Sequence, residues 1–294
     1  MFKSRFVLVF LFPAYMMSQT IDTSWDKKLH ILFWSDVMNT STEGVFRTKA
    51  AHNFENLFQE YAQENAVIDI DFKNRIAFLS DEKQSWFIAT WQWKDESNEW
   101  NYGGLYKSKT NQFIPLKFEK RNYMRLTYES IDQDSWYGAM YFYALPSEEY
   151  SEQLITFGFA QDGQGYKYKI IEVIQLNDTN IQFGKAIFSK EEKEKPIEKY
   201  NRIVIQYSEE SGCSLSYDPD SKEILFDHIA TITETVAANG KFLKVPDGTY
   251  EAYENKNGKW KYIERVPNQI LSKPPRAKAE EAHENLDILG RKRE

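Results

Sequence analysis

Phe87-Ile-Ala-Thr-Trp-Gln-Trp93 is the stretch that decides the fold. Phe87, Ala89, Trp91 and Trp93 alternate with Ile88, Thr90 and Gln92, and a period of two puts the two sets on opposite faces of a β-strand. Lys94 to Glu99 is polar and reads as a hairpin loop, after which Trp100 to Tyr106 carries the chain back. Trp91 and Trp93 share a face with Phe87 and Ala89, which marks that face as core. Gly103-Gly104 inside the returning strand points to a bulge or a close backbone approach.

The same period continues downstream. Trp136 to Leu145 and Leu154 to Phe159 read as strands, and Asp162-Gly-Gln-Gly165 turns the chain into Tyr166 to Leu176. That last strand is apolar on both faces around Ile170, Ile171, Val173 and Ile174, which predicts a central position. Arg202 to Tyr207 and Ser214 to Tyr217 follow, and Asp218-Pro-Asp-Ser221 turns into Glu223 to His228. Asn257-Gly258 is a tight-turn signal between Thr249 to Glu254 and Lys259 to Glu264. The charged stretch from Ser189 to Lys199, with Pro196, reads as a solvated loop.

Strands joined by short turns, in blocks at about 67–118, 122–188 and 200–265, predict a mainly β protein built as an antiparallel meander. A sandwich or barrel-like packing is expected ahead of a propeller, which needs about four or more blades and a repeated motif. Aromatic residues make up 16% of the chain, and such side chains suit half-buried sheet surfaces.

The N-terminal part departs from this pattern. Thr40-Ser41-Thr42-Glu43 fits a capping box, and Phe46, Ala50, Phe54, Leu57, Phe58 and Tyr61 recur at helical spacing, predicting a helix over about 42–64. Trp25, Leu29, Leu32 and Phe33 point to a shorter helix before it. Ahead of both, Lys3 and Arg5 precede the apolar run from Phe6 to Phe12, and Pro13 ends it before Ser18 and Gln19. That is the layout of a secretory signal, too short for a membrane span of about 20 residues. The reading divides the chain into a signal peptide (1–19), a helical segment (20–66), a β domain (67–266) and a charged tail (267–294). The tail, behind Lys273-Pro-Pro275, is expected to be disordered.

Composition narrows the function classes. A formal charge of −7, with no basic block, does not fit a nucleic-acid partner, because such binding rests on neutralising phosphates. No apolar stretch after the signal approaches membrane length, so no membrane span is expected in the mature chain. The single cysteine, Cys213, forbids an internal disulfide and lies far from the signal, where a lipid anchor would need it. An exported protein of the periplasm or the exterior is the expected localisation.

Three segments carry a resemblance: Phe157-Gly-Phe159 to Val173 with its Asp-Gly turn, Ser214-Leu-Ser-Tyr-Asp-Pro-Asp220 to Phe226-Asp-His228, and Val245-Pro-Asp-Gly-Thr-Tyr250 to Trp260-Lys-Tyr-Ile263. In that order they resemble a group of exported, uncharacterised proteins of Bacteroidetes bacteria. The resemblance covers about residues 65–265 and rests on turn-and-strand patterns. It implies an exported β-protein and no particular activity.

Candidate chemistry is sparse. His30, His52, His228 and His283 are scattered, with no second ligand at metal-site spacing. Asp218, Asp220, Asp227 and His228 form the densest polar cluster and would bind a cation only if the Asp218 turn folded back on the strand; a plain hairpin end is the expectation, with no metal or other cofactor. Glu96, Glu99, Asp132 and Asp134, in polar loops near tryptophans, are where a glycosidase pair would be sought. No Gly-x-Ser-x-Gly elbow or phosphate-cradling loop occurs. Of Trp86, Trp91, Trp93, Trp100 and Trp136, Trp91 and Trp93 sit on the core-facing run, while Trp86 and Trp100 lie off it and are the candidate ligand-binding residues. The expected function is a non-catalytic module of the envelope or surface contacting another protein. The alternative is a protein that binds or cleaves glycans.

Overall fold

The computed structural model describes residues 23–147, 152–236 and 240–264. The expected signal and charged tail lie outside the described residues. The protein is mainly β, with three antiparallel-dominated sheets stacked behind a helical N-terminal layer, and none of the three closes into a barrel.

Two helices form the first layer: α1 (Thr23–Thr40) and α2 (Gly44–Glu64). Both differ in detail from the sequence expectation. The earlier helix is long, and its buried face is Ile31, Ser35 and Met38, while Leu29 and Phe33 are exposed. The second has no side-chain cap. Instead Arg47 reaches back to the carbonyls of Ser41 and Thr42 at 2.8 and 3.0 Å. The helix starts at Gly44, where the Asp95–Glu96 backbone passes so close that any Cβ would collide.

The first sheet is a pure meander of β1 (Ala77–Ser80), β2 (Phe87–Lys94), β3 (Trp100–Lys107) and β4 (Phe113–Leu116). Residues 67–76, expected to begin the β region, form no strand. The alternation in β2 works as its period dictates. Phe87, Ala89 and Trp91 pack on Phe54 and Phe58 of α2, and Ile88 faces the next sheet. The Phe54 and Trp91 rings meet edge-on, 5.1 Å apart. Gly103 is a close approach and not a bulge: β2 and β3 pair without a register shift, and a Cβ on Gly103 would sit in the Trp91 indole.

The second sheet holds β5 (Ile131–Asp132), β6 (Met140–Pro146), β7 (Gln153–Gln161), β8 (Tyr166–Leu176) and β9 (Ile181–Phe183). The third holds β10 (Phe188–Lys190), β11 (Glu198–Tyr200), β13 (Leu215–Asp218), β14 (Glu223–Val236), β15 (Phe242–Lys256) and β16 (Lys259–Ile263). The missing number, β12 (Arg202–Ser208), pairs with β8 beside β9 and so belongs to the second sheet. This exchange breaks the simple meander. It also places the expected Ser189–Lys199 loop partly in a β10–β11 hairpin, with β10 parallel to β16.

β8 is central, as its apolar pattern predicts. Ile170 and Ile174 fill the core against the first sheet, and Ile171 and Val173 fill the core against the third. At the Asn257-Gly258 turn both residues have positive φ, 53° and 76°, as the tight hairpin requires.

Candidate functional site

One end of the stack, where β12, the β7–β8 turn and the β14–β15 hairpin converge, carries two adjoining clefts. Met124 and Gln206 line both.

The first cleft encloses about 450 Å³. Trp100, the first residue of β3, forms part of its wall. The Lys94 ammonium lies 5.1 Å from its ring centre, and its indole N–H is buried with no hydrogen-bond partner in the protein. The opposite wall is the β7–β8 turn, held by one carboxylate. Asp162 accepts the N–H groups of Gln164 and Tyr166 at 2.7 and 3.2 Å and the Tyr168 hydroxyl at 2.7 Å. Gly163 and Gly165 supply the positive φ, 68° and 96°, that the turn needs. Phe118 and Tyr166 add further aromatic surface, and Asn122 and Gln161 add amides. Tyr166 is itself fixed, since its hydroxyl donates to the Phe242 carbonyl at 2.9 Å.

Lysines stand over that tyrosine where the clefts meet. Lys241 Nζ is 5.0 Å and Lys244 Nζ 5.7 Å from the ring centre. Lys244 donates to Gln206 Oε1 at 2.6 Å, and burial lowers its pKa from the usual lysine value. Gln206 in turn donates to the Tyr168 hydroxyl at 3.0 Å. Lys120 and Arg121 border the first cleft but are engaged, Lys120 with Glu99 at 2.5 Å and Arg121 with Glu129 at 2.6 Å.

The second cleft, about 360 Å³, lies between β12 and the β14–β15 hairpin. The ladder pairs Asp227 with Tyr250 and then Ile229 with Pro246, so residues 247–249 bulge opposite His228. Asp247 Oδ2 lies 2.9 Å from His228 Nδ1. Its other oxygen accepts the Thr249 hydroxyl and N–H at 2.7 and 2.9 Å. Thr249's two bonds, with His228 behind them, hold the Asp247 pKa down at about 2. On the far side of the ring, Nε2 is 4.0 Å from Glu251, which accepts the Tyr262 hydroxyl at 2.5 Å.

Below the second cleft lies a buried ionic network. Glu172 of β8 and Arg202 of β12 are directly paired residues, and both side chains are fully buried. Arg202 Nε donates to Glu172 at 2.9 Å, and its remaining nitrogens donate to the carbonyls of Leu126, Glu129 and Phe183. Tyr137 and Tyr141 donate their hydroxyls to the other Glu172 oxygen, the second at 2.6 Å. Burial, then the nearby Glu172 charge, pushes both phenol pKa values far up. Each of the two buried groups is met by several partners, as a buried ionic pair requires.

The sequence-selected residues scatter over this frame. Trp86 is 9% exposed and packs in the core between the first and second sheets, whereas Trp100 lines the first cleft. Asp218 closes its own turn by accepting the Asp220 N–H at 2.9 Å, and Asp227 accepts the Ser214 N–H at 2.7 Å. Only His228 of that cluster joins a carboxylate pair. Among the described residues no three His, Cys, Asp or Glu side chains gather to hold a metal ion. Of the loop carboxylates, Glu99 pairs with Lys120 and Asp134 with Lys117 at 2.6 Å; Asp162 alone among the described acids lines the first cleft. Burial and then the neighbouring Asp227 push the Cys213 thiol up to about 12, which disfavours the thiolate form.

Asp247, Glu251, Glu172 and Arg202 were not singled out from sequence. Asp247-Gly248 inside a strand-like stretch was a signal for the bulge, but nothing local marks the other three. The site thus belongs to a layered, antiparallel β-protein with a paired cleft at one end. No protein-family model, curated protein or solved structure matches the chain. Among the described residues no helix is long and apolar enough to cross a membrane.

Proposed function

We propose that the protein is a non-catalytic binding module, exported by its N-terminal signal, that holds a glycan in the Trp100 cleft. The observation that carries this reading is the lining itself. Trp100, Phe118 and Tyr166 line, together with Asn122, Gln161 and Gln164, a space of about 450 Å³. Aromatic faces cover the apolar C–H side of a pyranose, and amides serve its hydroxyls as both donors and acceptors. The non-catalytic part rests on the acids. Glycoside cleavage calls for two opposed carboxyl groups, and this cleft has Asp162, whose oxygens are already committed to the turn.

The test is a glycan array with the full chain, followed by calorimetry on the best oligosaccharide. Trp100→Ala is expected to weaken that binding at least about tenfold, a stacking contribution of the size seen for planar ligands. Trp86→Phe, in the core, is expected to leave it unchanged. An array with no bound glycan, or a Trp100→Ala protein that binds like the parent, overturns the reading. A second reading, contact with an envelope protein, has one observation behind it. Phe242 and Ile232, on the distal part of the β14–β15 hairpin, are 51% and 37% exposed. Cross-linking from envelope extract that is lost in Phe242→Ser would favour it.

A further inference from the structure

The charge at the junction of the two clefts says what kind of glycan would fit. Lys244 enters from β15 with its N–H anchored to the Ser208 hydroxyl at 2.8 Å, so its backbone position is set. Its ammonium has one hydrogen-bond partner, the neutral Gln206 amide oxygen. Among the described residues it forms no ion pair, and burial lowers its pKa from the usual lysine value. Elsewhere around the clefts cations are answered: Lys120 by Glu99, and Arg121 by Glu119 and Glu129. Of the two acids that line the second cleft with Lys244, Asp227 accepts the Ser214 N–H at 2.7 Å and Glu251 the Tyr262 hydroxyl at 2.5 Å. A half-buried ammonium with only a neutral partner is costly to keep unless something anionic meets it. It sits beside Tyr166, the ring that also forms the wall of the first cleft, with Lys241 on the same ring.

We infer that the ligand is an acidic glycan, a chain of pyranose units bearing carboxylate or sulfate groups, whose anionic substituent is received by Lys244 while a neighbouring ring lies on the Trp100 side. The protein's own charge is −7, so this cationic spot is a local feature and not a by-product of a basic chain. This inference rests on the glycan reading above and adds the charge of the ligand to it.

The experiment titrates the full chain with oligogalacturonate, with the same oligosaccharide fully methyl-esterified, and with a sulfated glycosaminoglycan fragment. Oligogalacturonate or the sulfated fragment is expected to bind about tenfold tighter than the neutral ester, with the gap closing at high salt. Lys244→Gln is expected to erase that gap between acid and ester; Trp100→Ala is expected to weaken all ligands alike. Near-UV circular dichroism of Lys244→Gln checks that the fold is intact. Equal binding of acid and ester, or a gap that survives Lys244→Gln, overturns the acidic-ligand inference and leaves the glycan reading standing. Binding of none of these and of no glycan on the array overturns both. Preference for the uronate over the sulfate, or the reverse, supports the inference and names the anion.

Discussion

Two cross-strand contacts between a carboxylate and a nitrogen base in this protein have the same length and opposite surroundings. Glu172–Arg202 and His228–Asp247 each close at 2.9 Å between antiparallel strands. The first pair is wholly buried, and the second is 41% and 37% exposed. In the interior, removing one partner strands a charge where water cannot reach it. At the surface, water takes the place of a lost partner, and the pair matters for geometry more than for stability. Distance alone therefore says little about what an ion pair does.

The largest effect should come from breaking the buried pair on one side. Arg202→Leu leaves the buried Glu172 carboxyl with two tyrosine donors and no cation, and should cost about 3–5 kcal/mol, read from the urea midpoint. Replacing the whole network (Arg202→Leu, Glu172→Met, Tyr137→Phe, Tyr141→Phe) should recover most of that loss, because no charge or hydroxyl is then left unmet. If the single and quadruple variants unfold alike, the loss is one of packing, and the contrast with the surface pair fails.

An intermediate effect is expected at Gly184, which lies against the same arginine. It has φ +90°, and a Cβ there would come within 2.6 Å of Arg202 Nη2 and 2.7 Å of the Glu129 carbonyl. Gly184→Ala should therefore destabilise by about 1–3 kcal/mol without removing any charged group. A variant as stable as the parent would mean the guanidinium cradle can widen freely.

The smallest effect belongs to the exposed pair and has a pH signature. Asp247 titrates at about 2 in the folded protein against an ordinary 3.8, so the unfolded chain takes up its proton first. Its contribution is thus present above pH 3.8 and lost as the pH falls through about 2. The difference in unfolding midpoint between the parent and Asp247→Asn should be small at pH 5 and vanish near pH 2. A difference that persists at pH 2 would remove the role assigned to the carboxylate charge.

Legibility followed the range of the interactions. The β2 alternation, the Asp162 and Asn257-Gly258 turns and the central position of β8 were all readable, because each depends on residues within one strand or one turn. The capping box before α2 does not form; Arg47 instead joins the Ser41 and Thr42 carbonyls to that of Lys94, far along the chain. Trp86 and Trp100 looked equivalent in sequence, yet one faces a core and the other a cleft, since their strands' neighbours decide which face is covered. His228 drew attention beside Asp227, but its partner is Asp247, brought opposite by a bulge.

The sequence by itself determined the strand period, the turns, the helical start and the mainly β class, because side-chain alternation and turn chemistry are local properties of the backbone. Only the tertiary structure decided that β12 joins β8, that Arg202 thereby meets Glu172, and that Lys244 and Trp100 border neighbouring clefts. Those pairings are chosen by which arrangement buries the apolar faces while pairing Glu172 with Arg202, and that choice is made by the whole chain at once.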